Sequence, residues 1–331
     1  MRRPILAAAL LALGTHPALA EVPRVVVDTA PVHSLAALVM GDLGSPALLV
    51  PPGTSPHDAG LTPSEARALS QADLILWTGP ELLPWVRDAI ASLAPGTLSV
   101  ALLRSEGWEP LPAREGLHLH AEAQGHEEAG HDDHDHEEER AEGEAGHEEG
   151  QDDAHEGHEA ATDPHAWLDP AVARAWLATI AEALAAADPE NAAAYRANAE
   201  SAAVRLDALG EDLRARLAPL AGRGYAVSHD AYQYLERAAG LPANWAVARA
   251  DGAGAAPGDV ASLREAILAG EVACLLLDAE ADPGWAGTLG EGTALRAATV
   301  DPDGVFLRPG PGLYEAMMTE MANAVEGCLA P

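Results

Sequence analysis

The sequence predicts an α/β protein of two lobes, each with a parallel sheet flanked by helices, joined by a long rigid helix. Short β-type runs alternate with helical runs in two separate blocks, the pattern of parallel strands with helices on both faces. Between the blocks lies a long stretch of helical periodicity. The 331 residues suffice for two lobes of ordinary domain size.

The first block opens with a strand over 24–28, a helix over 31–40 and a strand over 47–50. Pro51-Pro52-Gly53-Thr54-Ser55-Pro56-His57-Asp58 has the composition of a loop. Thr62-Pro63-Ser64-Glu65 then starts a helix, with an N-cap, proline at the first helical position and an acid in the first turn. A strand over 73–78, a helix over 81–93 and a strand over 97–102 complete the block. Ligands of such sheets bind beyond the carboxyl ends of the strands, and His57 follows a strand.

Two helices are expected over 171–187 and from Glu190 to about Leu220, the second roughly 45 Å long at 1.5 Å per residue. The second block predicts strands over 225–228, 244–248, 273–278 and 297–300, with helices over 259–269 and 312–327. His229, Asp278 and Asp301 fall at its strand ends. The expected division is a signal peptide over 1–20, a first lobe over 21–170, a helical segment over 171–220 and a second lobe over 221–331. Arg2, Arg3, the apolar run 5–13 and Ala18-Leu19-Ala20 form the signal, with cleavage after Ala20 and a periplasmic destination.

Within the first lobe, residues 114–162 break the pattern. This stretch is expected to be a disordered acidic loop, because it has almost nothing apolar to bury. Between Glu115 and Glu159 there are 18 acids and one base, Arg140, so about half of the net charge of −33 sits there. The loop holds His118, His120, His126, His131, His134, His136, His147, His155 and His158, which predicts weak, exchangeable transition-metal binding. A solvated linker is the plainer alternative. All basic residues are arginine and they are few, which excludes a nucleic-acid partner. Cys274 and Cys328 are the two cysteines, and an even count in an exported chain invites a disulfide. Two buried thiols are the alternative.

Outside the leader and the loop, four histidines remain: His33, His57, His165 and His229. His165 sits in Asp163-Pro164-His165-Ala166-Trp167-Leu168-Asp169-Pro170, where two prolines hold the backbone extended before each ring. The two acids can orient the histidine or cap the next helix. His57, His165 and His229 are placed to converge on one cleft. Three imidazoles with a carboxylate or water suit tetrahedral Zn²⁺, whereas Mg²⁺ and Ca²⁺ prefer oxygen shells and Mn²⁺ more carboxylate. Three histidines and a water would also suit a zinc hydrolase, but no base motif accompanies them.

The segments Pro52–Asp58, Asp163–Pro170 and Ser228-His229-Asp230-Ala231-Tyr232 resemble the three ligand motifs of the cluster A-I solute-binding proteins, of the zinc-uptake (ZnuA-like) type. The resemblance covers nearly the whole mature chain. It implies zinc in the cleft with His57, His165 and His229 as ligands. Asp301 matches the position that supplies a carboxylate in several relatives, a place that water takes in others. Some zinc members carry glutamate just before the first ligand, where this chain has Pro56. His33 and Asp278 are expected to line the cleft or to support the ligands. Cys274 and Cys328 match a bridged pair. The resemblance implies no enzymatic step. It implies a monomer that captures Zn²⁺ and delivers it to the membrane permease of an ABC transporter; a periplasmic zinc store or metallochaperone is the alternative.

Overall fold

A computed structural model describes residues 22–114, 161–242, 245–249 and 257–330. The expected signal peptide, its cleavage site and the nine loop histidines lie outside them.

The first lobe runs β1 (Val25–Val27), α1 (Ala30–Met40), β2 (Ala47–Leu48), α2 (Pro63–Ser70), β3 (Leu74–Trp77), α3 (Pro84–Leu93) and β4 (Leu98–Ala101). Its sheet is parallel, in the order β2-β1-β3-β4. α2 starts as the sequence predicts: Thr62 and Glu65 form a reciprocal capping box and Pro63 takes the first helical position. α3 starts at Pro84, later than expected, because a residue before proline avoids the helical region.

Two helices follow, α4 (Pro170–Ala187) and α5 (Ala192–Leu217). Asp169 caps α4 by accepting from the Ala171 N–H at 2.8 Å, and Pro170 occupies its first position. α5 is shorter than expected at 26 residues. It tightens into a single 3-10 turn at Ala218–Leu220, where Pro219 has no N–H to continue the ladder. Its buried face is Tyr195, Ala199, Ala202, Leu206, Leu213 and Leu217.

The second lobe runs β5 (Tyr225–Val227), α6 (Gln233–Ala239), β6 (Trp245–Ala246), α7 (Pro257–Ala269), β7 (Cys274–Asp278), α8 (Gly284–Gly290), β8 (Arg296–Val300) and α9 (Leu313–Leu329). Its order, β6-β5-β7-β8, repeats that of the first lobe. α6 and α8 are absent from the sequence reading. Each has seven residues, too few for periodicity to show, and α8 contains three glycines. Strand alternation divides the second lobe's interior. Cys274 and Leu276 face a large core shared with the first sheet, α1, α4, α5 and α9. Leu275 and Leu277 face a smaller core with α7 and α8.

The lobes are fastened to each other. α9 turns back onto α1 and α5, and the Tyr314 backbone N–H donates to Ser34 Oγ at 3.0 Å. The Trp167 indole is fully buried and donates to the Pro302 carbonyl at 2.8 Å. Among the described residues no helix is long and apolar enough to cross a membrane.

Cys274 and Cys328 form a disulfide that ties β7 to α9, with Cα atoms 5.7 Å apart and a sequence separation of 54. A closed loop of that length is worth about 4 kcal/mol through the unfolded chain. Replacing both cysteines with alanine is therefore expected to lower the unfolding free energy by about 2–4 kcal/mol. Denaturant unfolding of the variant beside the oxidised parent measures it.

Candidate metal centre

Three loops bring three histidines together at the carboxyl ends of the strands. His57 lies in a one-turn 3-10 helix, Pro56–Asp58, beyond β2, where Ser55 Oγ accepts its backbone N–H. His165 precedes the one-turn helix Ala166–Leu168 and is fully buried. His229 follows β5. Their ring centroids are 5.7 Å (His57–His165), 5.6 Å (His57–His229) and 5.2 Å (His165–His229) apart. One nitrogen from each lies within 4.8 Å of the other two.

The two Nε2 atoms of His165 and His229 are 3.4 Å apart. Two nitrogens on one tetrahedral zinc, each bonded at ~2.0–2.1 Å, stand about 3.3 Å apart. The opposite ring nitrogens are engaged: His165 Nδ1 meets Asp163 Oδ1 at 3.0 Å, and His229 Nδ1 meets an Asp278 oxygen. Each carboxylate fixes its ring's tautomer and turns Nε2 toward the shared space, the carboxylate–histidine–metal arrangement of metal sites. Asp163 Oδ1 also accepts the His165 backbone N–H at 2.9 Å, so the acid ahead of the histidine orients it. Asp278 is held by Ser228 Oγ, which donates at 2.6 Å, and by the Tyr232 hydroxyl.

Above the histidines is a cavity of about 270 Å³ whose wall includes His57, His229, Asp278, Glu280, Asp303 and Trp285. Its charged side chains are all acidic, apart from the imidazoles. Burial pushes Glu280 up to about 7, helped by the charges of Asp301 and Asp278. Burial pushes Asp303 up to about 8, and its Oδ1 has no hydrogen-bond partner among the described residues. Burial also presses on His229, but Asp278, with help from Asp303 and Asp230, outweighs it and lifts the imidazole to about 9. Asp278 moves the other way: burial raises it, and the charge and hydrogen bond of His229 carry it below its usual range.

The structure brings His57, His165 and His229 together and places Asp278 behind His229. Asp301 is outside the histidine group. Its carboxylate accepts the backbone N–H groups of Val305 and Phe306, each at 3.0 Å, and so shapes the turn after β8. Gly304 permits that turn, with φ +64° and Leu313 where a Cβ would stand. His33 lies within α1, where burial lowers its pKa and the Pro46 carbonyl is its hydrogen-bond partner. Glu280 and Asp303 were not foreseen. The signal for Asp303 was available, since it stands in the same strand-end turn as Asp301.

The family model described as zinc-uptake complex component A, periplasmic, matches residues 25–328. The chain belongs to this ZnuA family. It is 41% identical over 332 residues to the high-affinity zinc uptake system protein ZnuA of Paracoccus denitrificans (strain Pd 1222), covering 99% of each chain. The ZnuA of Brucella suis biovar 1 is 33% identical, with 92% of this chain and 91% of that protein covered. A crystal structure of ZnuA overlays with a TM-score of 0.69 at 21% identity, over 91% of this chain and 98% of that one. The periplasmic zinc-binding protein TroA of Treponema pallidum gives 0.68 at 19%, over 93% and 99%. At those identities the two structures speak to the fold alone, a two-lobe architecture joined by a long helix. ZnuA-family proteins are solute-binding components of uptake systems and not enzymes.

In the metal-free ZnuA-family fold the His229–Asp278 pair stabilises over a defined window. The raised imidazole contributes fully below its ordinary value of about 6.5 and loses that contribution as pH rises through about 9. The lowered carboxyl contributes above its ordinary range and loses it on acidification. Asp278→Asn is expected to bring the His229 midpoint down, read from the imidazole resonances of the metal-free protein. It is also expected to weaken metal binding roughly 10–100-fold.

Proposed function

We propose that the chain is a periplasmic binding protein that captures Zn²⁺ between its lobes and delivers it to the membrane permease of an ABC transporter. The observation that supports this most is the 3.4 Å separation of His165 Nε2 and His229 Nε2, with each Nδ1 held by a carboxylate. That geometry suits a tetrahedral ion bound through nitrogen. The names of the relatives, zinc-uptake proteins along nearly their whole length, point the same way.

His57, His165 and His229 are the proposed ligands. His165 is buried at the floor and His57 is the most exposed of the three. The ion therefore meets His57 and His229 at the cavity first and takes His165 last. Water leaves the ion's shell as the imidazoles replace it. The acidic wall draws cations in and repels anions. The histidines between 118 and 158 are proposed to raise the local zinc concentration without forming the tight site.

A zinc titration against a competing chelator tests the reading. The chain lacking residues 115–159 is expected to keep one tight site and to lose several weak ones. His165→Ala in that background is expected to lose most of the tight binding. A deletion variant without a tight site would mean that the loop is the real metal binder, and the cleft reading would have to be abandoned.

A further inference from the structure

The chain leaves the first lobe at Arg114 and re-enters the described residues at Ala161. The two sides of this neck pair. Pro112 and Thr162 form an antiparallel bridge, the Ala113 N–H donates to the Ala161 carbonyl at 2.6 Å, and the Asp163 N–H donates to the Leu111 carbonyl at 2.9 Å. The ladder ends two residues before His165.

Helix α6 of the second lobe grips the same ladder. Gln233 Nε2 donates to the Pro112 carbonyl and to Asp163 Oδ2, both at 3.0 Å. The Leu111 N–H donates to the Tyr234 hydroxyl at 2.9 Å. Arg114 completes the grip. Its Nε and Nη2 donate to the two oxygens of Asp230 at 3.0 and 2.5 Å, and its Nη1 donates to Glu236 Oε2 at 2.8 Å. The guanidinium side chain is 17% exposed, and Asp230 and Glu236 are 2% and 6% exposed. Asp230 is the residue after His229.

A bidentate fork is the most directional ion pair that a protein can make. A buried ion triad adds little stability over apolar side chains of the same volume, so stability does not account for it. Its distinctive product is a fixed relation between the neck, which orients His165 through Asp163, and the strand end that carries His229.

We propose that Arg114 is a positioning residue of the metal centre: it clamps the neck of the His-rich segment to Asp230 and Glu236 and thereby holds His165 and His229 at the spacing of two ligands on one ion. The proposal rests on the zinc reading of the cleft. Its consequence is that the segment's root, apart from its histidines, controls how fast the ion leaves.

The test mixes the zinc-loaded full chain with excess chelator and follows release from the tight site. Arg114→Gln is compared with the parent. A triple variant, Arg114→Gln, Asp230→Asn and Glu236→Gln, removes the clamp without leaving a buried charge unpaired, so that the experiment survives if the single variant does not fold. Arg196→Gln, which breaks a pair with Glu182 on α4 and α5, is the control. The triple variant is expected to release zinc roughly ten-fold faster, the low end of effects from groups that orient metal ligands. The control is expected to match the parent. Amide exchange of the metal-free proteins is expected to accelerate at 109–114 and in α6 and to stay unchanged in α9. Release at the parent's rate, or exchange raised evenly throughout the chain, would overturn the clamp. A parent that holds no zinc tightly would instead overturn the zinc reading, and the exchange pattern would then decide the clamp alone.

Discussion

The contact on which the architecture depends is the Trp167 indole between the lobes. The one-turn helix that carries it is bracketed by Pro164 and Pro170, and Asp169, ahead of the second proline, leaves it in the extended conformation. Trp167 donates its N–H to the turn after β8, while its carbonyl accepts the Tyr314 hydroxyl of α9 at 2.7 Å. Its ring lies 5.5 Å from that of His165. Buried His165 is thus part of the joint itself. Asp163 and Asp169, on either side, tie His165 and the start of α4 to the same joint.

Electrostatics makes the cleft suitable for a divalent cation. A dication buried without compensation would be prohibitively costly. Asp163 and Asp278 place two carboxylates directly behind the rings of His165 and His229. Imidazole nitrogens suit zinc better than they suit hard cations. Glu280 and Asp303 would add two more charges to the wall. Burial raises both, so near neutral pH each spends much of its time protonated and the wall avoids full mutual repulsion.

The two-lobe fold was legible because parallel strands announce themselves through short apolar runs with helices between them. The meeting of His57, His165 and His229 was legible because few histidines remained and each stood beside proline or at a strand end. Asp278 was legible as a cleft residue from its place at the tip of β7. The pairing of Asp230 with Arg114 was not. It joins residues 116 positions apart, and neither neighbourhood has a local pattern that names the other. α6 escaped notice for a related reason: seven residues ending at Gly240 hold too few turns to show a face, although that glycine, in the left-handed conformation, is a regular helix stop. Asp301 was legible as a strand-end carboxylate, and the Val305 and Phe306 N–H groups that its two oxygens accept were not.

The shared core constrains how cargo leaves. Apolar residues of both sheets, α4, α5 and α9 form one continuous cluster, so separating the lobes would expose Trp167 and its neighbours. Burial of a tryptophan side chain alone, at about 25 cal/mol per Å² over ~150–250 Å², opposes that by roughly 4–6 kcal/mol. The His57 loop is different. Apart from Pro56, residues 51–58 are half-buried or exposed, and the Gly53 N–H reaches across to the Val305 carbonyl of the second lobe at 2.8 Å. Moving this loop carries His57 away from the other two histidines while exposing little apolar surface. The route of least cost for opening the cleft therefore begins with His57, with His165 and its joint still in place.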